Sequence, residues 1–116
     1  FYPLRIRPGG RTVALSEYGG IAWPMPGHEP PGKTYGYGTA KDKADLTKRY
    51  KMLQWKTILP QLGRGLSALV YTQLTDVEDE VNGLFTYDRA ALKPEAAAVR
   101  SCNAALAAEF AKVTAK

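Results

Sequence analysis

Glu17 is the residue in this chain whose surroundings most resemble those of a reacting group. It stands in Ala14-Leu15-Ser16-Glu17-Tyr18-Gly19-Gly20-Ile21, where an apolar run closes on one carboxylate and a pair of glycines. Thr12, Val13, Ala14 and Leu15 follow the turn signal Pro8-Gly9-Gly10 and read as a short parallel strand covered on both faces. Gly19 and Gly20 then let the chain swing away. A (β/α) barrel keeps its catalytic groups at the carboxyl ends of its strands, so a carboxylate delivered there reads as catalytic. The same local pattern also fits a glutamate that caps a turn or holds an ion pair.

Something must hold that strand end in place. Residues 22 to 38 are crowded with Pro24, Pro26, Pro30, Pro31 and glycines, which predicts a long loop. Trp23, Tyr35 and Tyr37 mark it as a loop that packs against something, since disordered segments are poor in aromatics. A helix follows, capped by Thr39 or Asp42 and running to about Leu62, with Gly63 and Gly65 as stop signals and Pro60 kinking or ending its last turn. Leu46, Tyr50, Leu53 and Thr57 share one of its faces, and Met52, Trp55 and Leu59 form a second stripe nearly opposite. A helix with two apolar stripes is expected to be covered twice.

Leu66 to Leu74 reads as a second strand, then Asp76 to Glu80 as an acidic loop, and Asn82-Gly83 as a tight hairpin turn. The last helix is expected to start at Pro94, with Glu95 set against the helix dipole and Val99, Cys102, Leu106, Phe110 and Val113 on one face. Strand, loop, helix, then strand, loop, helix is the grammar of a parallel α/β fold made of two βα units. Two parallel strands cannot close a barrel or cover both their faces, so the piece reads as incomplete. Its start at Phe1 rather than Met fits the same expectation of a segment from a longer protein.

Composition narrows the partners. The chain has 116 residues and a formal net charge of +5, but Lys41, Lys43, Lys48, Arg49, Lys51 and Lys56 are spread around one helix and interleaved with Asp42 and Asp45. That is a solvated helix surface rather than a nucleic-acid footprint, and no zinc-finger, RNP-like or helix-turn-helix signature accompanies it. No apolar stretch approaches the roughly 20 residues of a membrane span, so no membrane partner and a soluble, cytoplasmic setting are expected. Cys102 is the only cysteine, which excludes an internal disulfide and a cysteine metal cluster and reads as a small core residue. Asp76, Glu78, Asp79 and Glu80 lack the glycine and terminal bidentate acid of a calcium loop and read as a solvated turn or as salt-bridge partners for the basic helix. No metal and no cofactor are expected.

Three stretches together resemble a known family: Ser16-Glu17-Tyr18-Gly19-Gly20, the loop ending Tyr35-Gly36-Tyr37-Gly38, and the run from Gly65 to Pro94, GLSALVYTQLTDVEDEVNGLFTYDRAALKP. They are similar to the C-terminal part of the catalytic (β/α)8 barrel of glycoside hydrolase family 2, which includes β-galactosidases, β-glucuronidases and β-mannosidases. The resemblance covers nearly the whole chain and implies the seventh and eighth βα units of that TIM-type barrel. It implies that Glu17 is the nucleophile of a retaining glycosidase, forming and releasing a covalent glycosyl-enzyme intermediate. Retention needs a second carboxyl group about 5 to 5.5 Å away. The family carries it in an Asn-Glu pair on the fourth strand, and this chain contains no Asn-Glu pair. The resemblance therefore implies half of a catalytic pair, inactive alone.

The same resemblance brings further residues to the sugar. Tyr71 stands where many members have a tryptophan beneath the sugar ring, although it equally reads as filling the barrel interior. Gln73 is placed to bind a hydroxyl, Tyr37 belongs to the loop above the strand ends, and His28 lies in that loop, either touching substrate or simply exposed. The implied partners are a carbohydrate substrate and the remainder of the barrel, and the isolated piece is expected to self-associate. The reading from a different class is a non-catalytic protein-interaction or assembly module whose two-striped helix binds another protein.

Overall fold

The structure, a computed structural model, describes residues 9–115. Pro8, the first residue of the expected turn, lies outside the described residues. The chain forms β1 (Val13–Gly19), α1 (Lys43–Met52), a π-helical segment (Leu53–Ile58), α2 (Leu59–Leu62), β2 (Leu66–Thr72) and α3 (Ala96–Thr114). β1 and β2 pair in parallel as a two-stranded sheet. Parallel neighbours need a crossover connection, and here the helical stretch from Lys43 to Leu62 supplies it. The fold is α/β, with a helix after each strand, as the alternation of patterns predicts.

Of the two possible caps for the first helix, Asp42 is the one used. Its Oδ1 accepts from the Asp45 backbone N–H at 2.8 Å, satisfying one of the free donors of the first turn. Leu46, Tyr50 and Leu53 face the core as expected, but the next inward residues are Gln54, Ile58 and Leu62 rather than Thr57. The cause is the π-helical stretch, whose wider turns advance the inward face by one residue. It lies directly ahead of Pro60, whose ring clashes with an ideal α-helical turn and has no N–H to offer one. The second stripe divides: Leu59 packs on the core, while Met52 and Trp55 remain 45% and 42% exposed.

The core lies between the sheet and the helices. Leu53, Ile58, Leu62 and Leu66 form its centre, and Leu106 and Val113 of α3 pack against it from the far side. Cys102 is buried, as its spacing predicts, whereas Phe110 is 40% exposed. α3 begins at Ala96 with Glu95 at its cap, after Pro94, and the Glu95 carboxylate meets Lys43 at 3.3 Å.

The strands reach the core in an irregular register. Val13 pairs with Leu66, Leu15 with Leu69 and Tyr18 with Tyr71, and these residues face the helices. From Leu15 to Tyr18 is three steps along β1, matched by two from Leu69 to Tyr71 along β2, so β1 carries one extra residue at Ser16-Glu17. In a regular strand Glu17 would share the face of Val13 and Leu15. The bulge gives that place to Tyr18 and leaves both Ser16 and Glu17 exposed.

The long loop packs, as its aromatics predict. Ala22 N–H donates to Gly38 O and Ala40 N–H to Ala22 O, closing the loop on itself. Trp23 N–H donates to Val81 O, Tyr35 N–H to Asp79 O and Val81 N–H to Tyr35 O, so the loop is stitched to the segment after β2. The strand β2 ends at Thr72, two residues short of the expected Leu74. The expected hairpin at Asn82-Gly83 is absent, because the chain reverses at Val77–Glu80, with Glu78 at φ 52°. Asn82 and Gly83 are buried instead, and Gly83 N–H donates to Asp76 Oδ1 at 2.8 Å. That carboxylate is neither solvated nor paired with the basic helix: it meets Lys93 inside the fold.

Candidate active site

Glu17 lines a cleft of about 300 Å³ at the carboxyl end of the sheet, together with Tyr18, Gly19, Gly20, Tyr37 and Thr72. The cleft exists because the two strand ends are tied together while the loop bends over them. Gly20 N–H donates to Thr72 O at 2.8 Å, and Tyr37 N–H donates to Gly20 O at 2.9 Å. Gly20 has φ +65°, and a Cβ there would come within 2.6 Å of the Tyr37 ring, so the aromatic ring lies directly against the bare glycine. Glu17 is exposed and makes no ion pair among the described residues. The neighbouring Tyr35, and after it the carboxylate of Glu17, push the Tyr37 phenol above its ordinary value, with Glu80 adding to the same direction. Both carboxylates thus act on the Tyr37 phenol in the same direction.

The other expected site residues separate into two groups. Tyr71 does not line the cleft: its ring stands edge-on to Tyr18 and Tyr50, 5.4 Å from each, between the sheet and α1. Burial there pushes its phenol well up, since the charged form would have to be stripped of water. The reading of Tyr71 as an interior filler therefore describes its place, although the interior is the strand–helix layer. Along β2, Tyr71 takes the same face as Leu69, and the bulge in β1 brings Tyr18 to meet it on the helix side. His28 Nδ1 lies 2.7 Å from Asp88 Oδ2, fastening the long loop to the segment that leads into α3. The bonds from Thr86, Ala90 and His28 hold the Asp88 carboxyl well below the usual range.

Gln73, the first residue beyond β2, sits in a polar cluster that the sequence did not announce. Its Nε2 donates to Glu80 Oε2 at 3.0 Å and to Asn82 Oδ1 at 2.8 Å, and Asn82 Nδ2 donates to the same Glu80 oxygen at 3.1 Å. Glu80 is brought beside Tyr35 by a parallel bridge between the two segments. Asn82 next to Gly83 looks like a turn in sequence, and Glu80 looks like one of several solvated acids. What sets Glu80 apart from its neighbours is the pair of side-chain bonds from Gln73 and Asn82.

Chemically, the arrangement presents one exposed carboxylate at a strand end, a phenol beside it, and an amide–carboxylate cluster that begins one residue beyond the cleft-lining Thr72. That set can offer a nucleophile and hydroxyl acceptors to a polyol. No group of acidic, histidine or cysteine side chains suited to hold a metal ion occurs among the described residues. Against models of known families and against curated proteins the chain gives no match.

Proposed function

We propose that this chain is the C-terminal segment of the catalytic barrel of a retaining β-glycosidase similar to glycoside hydrolase family 2. In this reading it supplies the nucleophile Glu17 and the seventh and eighth βα units of a (β/α)8 barrel. The observation that carries the reading is the bulge in β1: it takes the carboxylate off the helix-packed face and sets it, unpaired among the described residues, in a cleft at the strand's carboxyl end. A parallel strand followed by a helix on the opposite face is the setting in which barrel enzymes place such groups.

In this reading the mechanism is that of a retaining glycosidase. Glu17 attacks the anomeric carbon of a bound glycoside, the bond to the leaving oxygen breaks, and a glycosyl ester forms on the carboxylate. An acid elsewhere in the barrel protonates the leaving oxygen and then takes a proton from the water that releases the sugar. In the complete protein, Glu17→Ala should lower turnover of an aryl β-glycoside by several orders of magnitude. Azide should restore part of it by taking the place of the carboxylate. Turnover within a few-fold of the unmodified protein would remove Glu17 from the nucleophile's role.

A further inference from the structure

We infer that Glu80 and Gln73 form a hydroxyl-accepting subsite for the sugar that reacts at Glu17, with Asn82 as the residue that positions them. The inference rests on the glycosidase reading and adds to it the place where the sugar ring is held. The Glu80 carboxylate uses only Oε2 for its bonds to Gln73 and Asn82, and Gln73 uses only Nε2 as a donor. Among the described residues, Glu80 Oε1 and Gln73 Oε1 carry no hydrogen bond. The cluster is a locked pair of side chains with two acceptors left over, and a polyol is rich in the donors such a pair lacks.

Three features place this pair within reach of the reacting sugar. Gln73 directly follows Thr72, which lines the Glu17 cleft and whose carbonyl binds Gly20. Tyr37 lines the Glu17 cleft, and Tyr35, two residues before it in the same loop, bridges to Glu80. Tyr35 and Tyr37 stand edge to face, 5.7 Å apart, and are 51% and 67% exposed, giving the rim an apolar surface for the C–H face of a sugar. Asn82 is buried and is bonded to both acceptor-bearing residues, which leaves it out of contact with substrate and fixes its role as positioning.

The test uses the complete protein and a panel of 4-nitrophenyl β-glycosides, taking the sugar turned over fastest together with its monodeoxy analogues. Glu80→Gln keeps an oxygen to accept from Gln73 and Asn82 and replaces the free acceptor with an amide donor. It should lower kcat/KM for the parent glycoside by about tenfold to a hundredfold while leaving one deoxy analogue nearly unaffected, because that analogue has already lost the bond. Gln73→Met should show the same selective loss if Glu80→Gln melts early. An equal fall for every glycoside in both variants, or no fall in either, overturns the subsite. Glu17→Ala is measured alongside: its retained turnover overturns the glycosidase reading itself, and dependence on Glu17 without deoxy selectivity overturns only the subsite.

Discussion

Lys93 Nζ lies 2.7 Å from Asp76 Oδ1, with both side chains withdrawn from water. The ammonium also donates to Val81 O at 2.9 Å, and the same Asp76 oxygen accepts from Gly83 N–H. One buried pair thus ties the turn after β2 to the entrance of α3. Removing one partner leaves the other charge buried and unpaired, which is costlier than never having had the pair. Lys93→Met should therefore destabilise the fold by about 3 to 5 kcal/mol. Adding Asp76→Asn keeps an acceptor for Gly83 and removes the orphaned charge, so the double variant should be more stable than Lys93→Met alone. Urea midpoints of the three proteins decide it.

Tyr18, Tyr50 and Tyr71 make the fold sensitive to base. Burial pushes the Tyr50 phenol up to about 12 and raises Tyr18 and Tyr71 as well. In the unfolded chain these groups ionise near 10. Below that pH both states hold the proton and stability is unaffected; as pH rises from 10 towards 12 the unfolded state releases protons that the folded state retains, and stability falls. Circular dichroism between pH 8 and 12 should show unfolding beginning above about 10. Tyr50→Phe should shallow that pH dependence, and an unchanged slope would count against the buried phenol as its source.

Gly20→Ala should act on the cleft. The new Cβ would press on the Tyr37 ring at a backbone conformation that side chains avoid, costing about 1 kcal/mol or more of stability. In the complete protein the displaced ring should lower kcat/KM by up to about a hundredfold. Adding Tyr37→Ala should relieve the part of the stability loss that comes from the ring, leaving the backbone strain and the activity loss. Equal thermal stability of Gly20→Ala and the unmodified chain would show that neither the ring contact nor the backbone strain is felt.

On its own, this chain should not sustain turnover of aryl β-glycosides. Leaving-group protonation is worth about 10²- to 10⁴-fold, and the chain lacks the Asn-Glu pair that would supply it. Steady release of nitrophenol that disappears with Glu17→Gln would show that a second acid is present here.

The isolated chain should also self-associate. Val70, Leu74, Met52 and Trp55 are 56%, 67%, 45% and 42% exposed, and a two-stranded sheet leaves unpaired backbone along its outer edges. Each such side chain forgoes about 1.5 to 3 kcal/mol of burial. Sedimentation velocity at micromolar concentration should show dimers or larger species. A stable monomer would mean that these surfaces tolerate water.

The legible part of this structure is local. Asp42 as a cap, Gly63 as a stop, the Val13 and Leu66 strands and the burial of Cys102 all follow from residue type and spacing within a few positions. What escaped reading depends on residues far apart. The face of Glu17 turns on one extra residue in β1, which changes no composition and leaves the apolar pattern intact, while Tyr71 follows Leu69 to the helix side. Asn82-Gly83 has the chemistry of a turn, but Asp76 and Lys93 reach it from either side and bury it. Glu80 differs from Glu78 and Asp79 in that its carboxylate accepts from Gln73 and Asn82.

The π-helical stretch from Leu53 to Ile58 holds one residue more than an α-helical path between the same ends would need. It behaves as an insertion the fold has already absorbed. Tyr50 before it, Leu53 at its start and Leu62 after it all lie on the core, while Trp55 at the widened turn is partly exposed. Deleting one residue within this stretch should therefore leave both strand ends in place. An alignment gap between Met52 and Leu59 would record a change in helix winding, with the cleft around Glu17 left as it is.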